Sequence, residues 1–202
     1  NSAVYDQAKV LSKETIKKID KINEESDNTD KKLKIGVYII DDLNGKDVED
    51  TTLEIARKWK IGDKDTNNGV LLFLAINDKK SRLEVSDNLA TRLTDIQSKT
   101  ILNNMKPKLR SKDYDGAVLD AVKNITDANN GKKIKSDTGS SDTLQLVIII
   151  VFILVVIVVI IGIGGDSEGG SFIGFLGGSS DSSGGGGFSG GGFSGGGASS
   201  GW

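Results

Sequence analysis

The sequence predicts an α/β domain whose sheet is covered by helices on both sides, and three observations carry that expectation. Val70-Leu71-Leu72-Phe73-Leu74-Ala75-Ile76 is an unbroken apolar run between Asn67-Asn68-Gly69 and Asn77-Asp78. It is short for a helix and bounded by turn residues, so it reads as a strand buried on both faces. A similar run, Leu33 to Ile40, precedes it, and a helical pattern lies between the two. Strand, helix, strand in that order is a right-handed crossover that leaves the two strands parallel.

Along the chain, Ser12 caps a first helix: its hydroxyl accepts from the free amides of the first turn, and Glu14 suits the positive end of the helix dipole. Leu11 and Ile16 stand at the spacing of a hydrophobic staple, and Ile16, Ile19 and Ile22 continue one apolar side until Ser26-Asp27-Asn28 breaks it. After the first strand, Asp41-Asp42 and the Asn44-Gly45 pair make a turn. The second helix spans Val48 to Lys60 with Leu53, Ala56 and Trp59 inward, and Gly62 stops it. Ser81-Arg82-Leu83-Glu84-Val85 alternates, which suits a strand returning antiparallel on the outer part of the sheet. A helix over 94–104 uses Ile96, Ile101 and Met105, with Pro107 beyond its end. The last helix has Tyr114, Ala117, Val118, Ala121, Val122 and Ile125 on one face and Asp113 as N-cap.

Residues 1–129 thus form the folded domain and 130–143 a Gly, Ser, Asp and Lys linker. Residues 144–163 are predicted to be a transmembrane helix, because Leu146 to Ile163 carries no charge and just reaches across a bilayer core. Residues 164–202 are a low-complexity tail: 19 of the 26 glycines lie from Gly162 onward, too little apolar surface to fold alone. Two copies of Gly-Gly-Phe-Ser-Gly-Gly-Gly surround Phe188 and Phe193. Lys132, Lys133 and Lys135 before the span would place the domain in the cytoplasm by the positive-inside rule. A start at Asn1 instead of Met reads as a removed signal peptide, and a domain already translocated stays outside. The extracytoplasmic side is therefore the expectation.

Composition narrows the chemistry. With no cysteine and no histidine, thiol nucleophiles, Ser-His-Asp triads and His- or Cys-ligated zinc are excluded. A resident metal would be Ca²⁺ or Mg²⁺ on oxygen ligands. No basic stripe with interleaved aromatics stands out, so nucleic acid is not an expected partner. Parallel first and second strands with a returning third bring residues 61–69 and those after Val85 to one rim. There Asp63, Asp65, Asn67 and Asn68 offer oxygens, and Asp87 and Asp95 complete a cation site from across the rim. Glycine one place late and Leu74 at position twelve rule out an EF-hand loop. Asp41, Asp42, Asn77 and Asp78 share the opposite rim, where paired aspartates suit Mg²⁺.

Ala8-Lys9-Val10-Leu11-Ser12, Trp59-Lys60-Ile61-Gly62, Asn67-Asn68-Gly69-Val70-Leu71-Leu72, Leu93-Thr94-Asp95 and Gly195-Gly196-Gly197-Ala198-Ser199-Ser200-Gly201-Trp202 occur in an order that resembles the TPM-domain family. The resemblance implies a three-layer α/β/α sandwich with a mixed sheet, lying outside the cytoplasmic membrane and often linked to divalent-cation binding. Plant relatives act in photosystem II repair, phosphatase activity is ascribed to some members, and animal relatives include a receptor accessory protein. Where the family usually has a Gly-Tyr-Gly-Leu-Glu-Gly-like segment, this chain has Ser86-Asp87-Asn88-Leu89-Ala90-Thr91. The expectation is a membrane-anchored extracytoplasmic binding or accessory module of the cell envelope, binding Ca²⁺ and a membrane or envelope protein partner. The alternative is a weak metal-assisted phosphatase on the same carboxylates.

Overall fold

The computed structural model describes residues 2–62, 66–136 and 193–202. Asp63 and Asp65, the apolar stretch 144–163 and the tail up to residue 192 lie outside them, and among the described residues no helix is long and apolar enough to cross a membrane. The described elements run β1 (Val4–Asp6), α1 (Lys13–Ser26), β2 (Lys34–Ile40), α2 (Val48–Trp59), β3 (Gly69–Ala75), β4 (Lys80–Val85), α3 (Asp95–Arg110), α4 (Tyr114–Asn129) and β5 (Gly197–Gly201). They build one mixed sheet in the order β1-β2-β3-β4-β5. β1, β2 and β3 are parallel, β4 returns antiparallel to β3, and β5 is antiparallel to β4.

Every residue of β3 is buried, as its unbroken apolar run requires. Its Val70, Leu72 and Leu74 join Ile35, Val37, Ile39, Leu83 and Val85 beneath the apolar faces of α1, α3 and α4. The alternate side chains Leu71, Phe73 and Ala75 face α2, where Val48, Ile55 and Ala56 meet them. The helices therefore lie on both faces of the sheet. Gly69 is glycine for a reason of space, since a Cβ there would stand 2.5 Å from the Ile61 carbonyl oxygen.

Helix ends follow the polar residues next to them. Ser12 accepts from the Thr15 amide, and Asp47 accepts from Glu49 and Asp50. Thr94 forms a reciprocal capping box with Gln97, and Asp113 accepts from Gly116. α2 ends on Lys60, which itself adopts the left-handed conformation, two residues before the expected glycine stop.

Five expectations are corrected. α3 runs through Pro107 to Arg110, because buried Leu102, Met105 and Leu109 hold its last turns against the core. Ile96 does not face inward: it is 80% exposed, nine residues from buried Met105, so at about 100° per residue the two occupy opposite sides of the helix. β1 is an additional strand, too short to show a pattern, and Tyr5 stacks on Tyr38 at 4.5 Å between ring centres. The linker starts on the domain surface, where Ile134 packs against the core and Asn104 Nδ2 donates to the Lys135 carbonyl. Most consequentially, β4 is an inner strand. The last residues of the expected disordered tail return to pair with it, from Lys80 opposite Gly201 to Glu84 opposite Gly197. Segments without a core of their own still order when an open strand offers main-chain partners.

Candidate functional site

The two rims inferred from strand directions are both present. On one, the Gly69 amide donates to Ser86 Oγ, the Ser86 amide donates to the Gly69 carbonyl, and Asn88 Nδ2 donates to the Thr66 carbonyl at 2.8 Å. The turn after β4 is thus stitched to the loop before β3. On the other, the Asn77 amide donates to the Asp41 carbonyl at 2.7 Å and the Leu43 amide to Asp78 Oδ2 at 2.6 Å. Asp42 Oδ1 accepts from the Asn44 amide, so these carboxylates shape turns.

The predicted cation ligands divide. Asn67 is exposed in a left-handed conformation (φ 52°), with its Oδ1 lying against Gly62. Asn68 is buried and its Nδ2 donates to the Lys32 carbonyl, which ties it to the chain entering β2 at the same rim. Asp87 Oδ1 accepts from both the amide and the hydroxyl of Ser194. Asp95 Oδ1 accepts from the Gly197 amide at 2.9 Å. Asp87 and Asp95 therefore bind the returning tail. Among the described residues no three acidic side chains converge as a metal-holding group.

The more elaborate arrangement lies under that tail and was not anticipated. Arg82 and Glu84 sit on the α2 side of β4, opposite Phe73 and Leu71. Arg82 is 3% exposed and Glu84 is fully enclosed. Arg82 Nε and Nη2 reach Glu84 Oε2 at 3.0 and 2.9 Å, and Nη1 donates to Glu49 Oε1 at 2.9 Å. Its remaining donors go to Ser199 Oγ at 2.8 Å and to the Gly195 carbonyl at 3.3 Å. The guanidinium thereby has a partner for each of its N–H groups. Glu84 Oε1 has no hydrogen-bond partner among the described residues. Burial pushes the Glu84 carboxyl up to about 7; Arg82 opposes the rise, and neighbouring Glu49 adds to it. The only sequence clue was two opposite charges at alternate positions of a strand.

The tail supplies the lid of this arrangement. Phe193 is buried with Ala56, Ile61 and Leu71, and its carbonyl accepts from Arg57 Nη2 at 3.0 Å. Gly196 accepts from the Val85 amide, and Ser199 Oγ donates to Glu49 Oε1 at 3.2 Å. On the other face Ser200 Oγ donates to Asn103 Oδ1 at 3.3 Å. The Trp202 amide closes the ladder on the Lys79 carbonyl at 3.1 Å. Gly197 has φ +137°, and a Cβ there would lie 1.9 Å from the Leu83 carbonyl oxygen, so this position accepts glycine alone.

Known proteins share this fold. The N-terminal domain of a P. gingivalis protein, solved in solution, superposes with a TM-score of 0.57 at 26% identity, covering 65% of this chain and 84% of that one. The N-terminal domain of a Corynebacterium glutamicum protein gives 0.50 at 18% identity, covering 69% and 84%. The BA42 protein of the psychrophile Bizionia argentinensis gives 0.51 at 19% identity, covering 63% and 87%. The last two likenesses speak for the fold alone. No curated protein matches the chain. The family model described as TPM domain matches residues 4–128, which excludes the returning tail. With more than half of its length matched by that model, the chain belongs to the TPM-domain family.

Proposed function

We propose that this chain is a binding or accessory module of the cell envelope, carried outside the cytoplasmic membrane by its apolar stretch 144–163, and that its work is recognition. The observation that carries the reading is the fate of its acidic groups. Asp87 and Asp95 hold backbone and hydroxyl groups of an extended segment, and Arg82, Glu84 and Glu49 form a closed charge cluster beneath it. A hydrolase needs a carboxylate within reach of substrate and water. Among the described residues the carboxyl raised toward neutrality is Glu84, and it is enclosed.

A divalent cation, Ca²⁺ first, belongs in this proposal at the rim, with Asp63, Asp65 and Asn67 as its ligands from the loop and Asp87 as the carboxylate across from them. Oxygen-only ligands at alternate positions suit a hard cation. The test is calcium titration of the full-length protein in detergent, followed by amide shifts of residues 66–69 and 86–88 and repeated with Asp65→Ala. Shifts at millimolar Ca²⁺ that vanish in the variant are expected. Unchanged spectra remove the cation from the reading. Phosphate release from a generic ester at equal rates in wild type and Asp87→Ala is the expected outcome for a module without hydrolytic chemistry; a drop confined to the variant would favour the phosphatase instead.

A further inference from the structure

Residues 193–202 contribute little apolar surface beyond Phe193, Ala198 and Trp202, yet the domain meets them with a specific receiver at nearly every position. Phe193 enters an enclosure of Ala56, Ile61 and Leu71. Ser194 meets Asp87, and the Gly197 amide meets Asp95 at the first turn of α3. Ser199 lies between Arg82 and Glu49, and Ser200 reaches Asn103. Arg82 is anchored by Glu84 and Glu49, both contributed by the domain, so the receiving half does not depend on the tail. Main-chain pairing for affinity with side-chain receivers for selectivity is the physics of peptide recognition by strand addition. The ligand half is rich in glycine, which loses more conformational freedom on ordering than any other residue, so the net affinity is modest and the strand exchanges.

We infer that the groove between β4 and α3 is a strand-binding site for extended peptides of the type Phe-Ser-Gly-x-Gly-Ala-Ser-Ser. Residues 193–202 occupy it within the chain, and the same segment of a second copy enters when the resident strand is out. This deepens the binding reading above and needs no cation. A failed calcium titration leaves it standing, and failed peptide capture leaves the cation reading standing.

The test uses the full-length protein carrying Gly197→Val, whose own strand is kept out by the contact with the Leu83 carbonyl. A fluorescent peptide of residues 193–202 is followed by anisotropy. The variant is expected to bind it at least about tenfold more tightly than the wild type, whose tethered strand competes at an effective concentration of ~mM. A peptide with the same Gly197→Val change is expected not to bind. A folded variant that captures the peptide no better than wild type overturns the proposal, as does equal capture of the valine peptide. If the variant does not fold, wild-type protein cut at a protease site placed within 184–187 decides. The released segment is expected to co-elute with the domain and to be displaced by excess wild-type peptide, not by the valine peptide. Immediate loss of the segment, or no displacement, overturns the site.

Discussion

Raising the pH through the interval from 4.5 to about 7 is expected to weaken this fold, and Glu84 is the reason. Its carboxyl titrates from an ordinary value of 4.5 in the unfolded chain and near 7 in the folded one, because burial outweighs the nearby Arg82. Arg82 divides its charge between Glu84 and Glu49, and Glu84 Oε1 has no partner among the described residues, so the ionised form is poorly compensated. A folded-state value above the unfolded one means that the native protein holds a proton the unfolded chain releases. The contribution is fully present below 4.5 and is lost as pH rises through about 7. At about 1.4 kcal/mol per unit, the gap corresponds to roughly 3 kcal/mol. Urea denaturation followed by tryptophan fluorescence across this interval measures it, with Glu84→Gln as the reference that cannot ionise. Wild type should lose stability relative to Glu84→Gln as pH rises. Parallel curves for the two proteins would refute the argument. Asp47 and Asp115 act in another window. Hydrogen bonds from the Asp50 and Glu49 amides lower Asp47; burial works against the same result at Asp115, where the Ser12 amide and the Thr15 and Ser12 hydroxyls prevail. Their contribution is lost only as pH falls below the usual 3.8.

Other outcomes follow from packing. Phe73→Ala, at the fully buried centre of β3, should cost about 3–5 kcal/mol in chemical denaturation. Gly69→Ala, which forces a methyl onto the Ile61 carbonyl, should cost about 1–3 kcal/mol by the same assay. Ile96→Lys should leave stability within about 0.5 kcal/mol, since that side chain faces solvent. Asp95→Ala should lower hydrogen-exchange protection of the Gly197 amide by about fivefold while amides of β3 keep theirs.

Where one periodicity dominates, the chain could be read without coordinates. β3 has seven apolar residues in succession and α4 repeats its apolar positions over three turns, so burial alone decides their place. The two rims followed from strand directions, and the Asn88–Thr66 and Asn77–Asp41 contacts bear that out. The site was less legible because its chemistry depends on a partner far along the chain. Asp87 and Asp95 look like free oxygen donors until Ser194 and Gly197 arrive. Arg82 and Glu84 look like the solvent side of an outer strand until β5 covers them. Composition called the tail structureless because glycine carries no core-forming side chain. β5 needs none, since its bonds are mainly those of the backbone and its side chains are small enough to fit beside β4 and α3.

The return of residues 193–202 to the sheet also closes an edge. Without β5, Lys80–Val85 would present a row of main-chain amides and carbonyls, the template on which separate chains pair and aggregate. Paired with Gly197–Gly201, that row is satisfied inside the molecule, and the sheet ends on this side in a short strand of small residues.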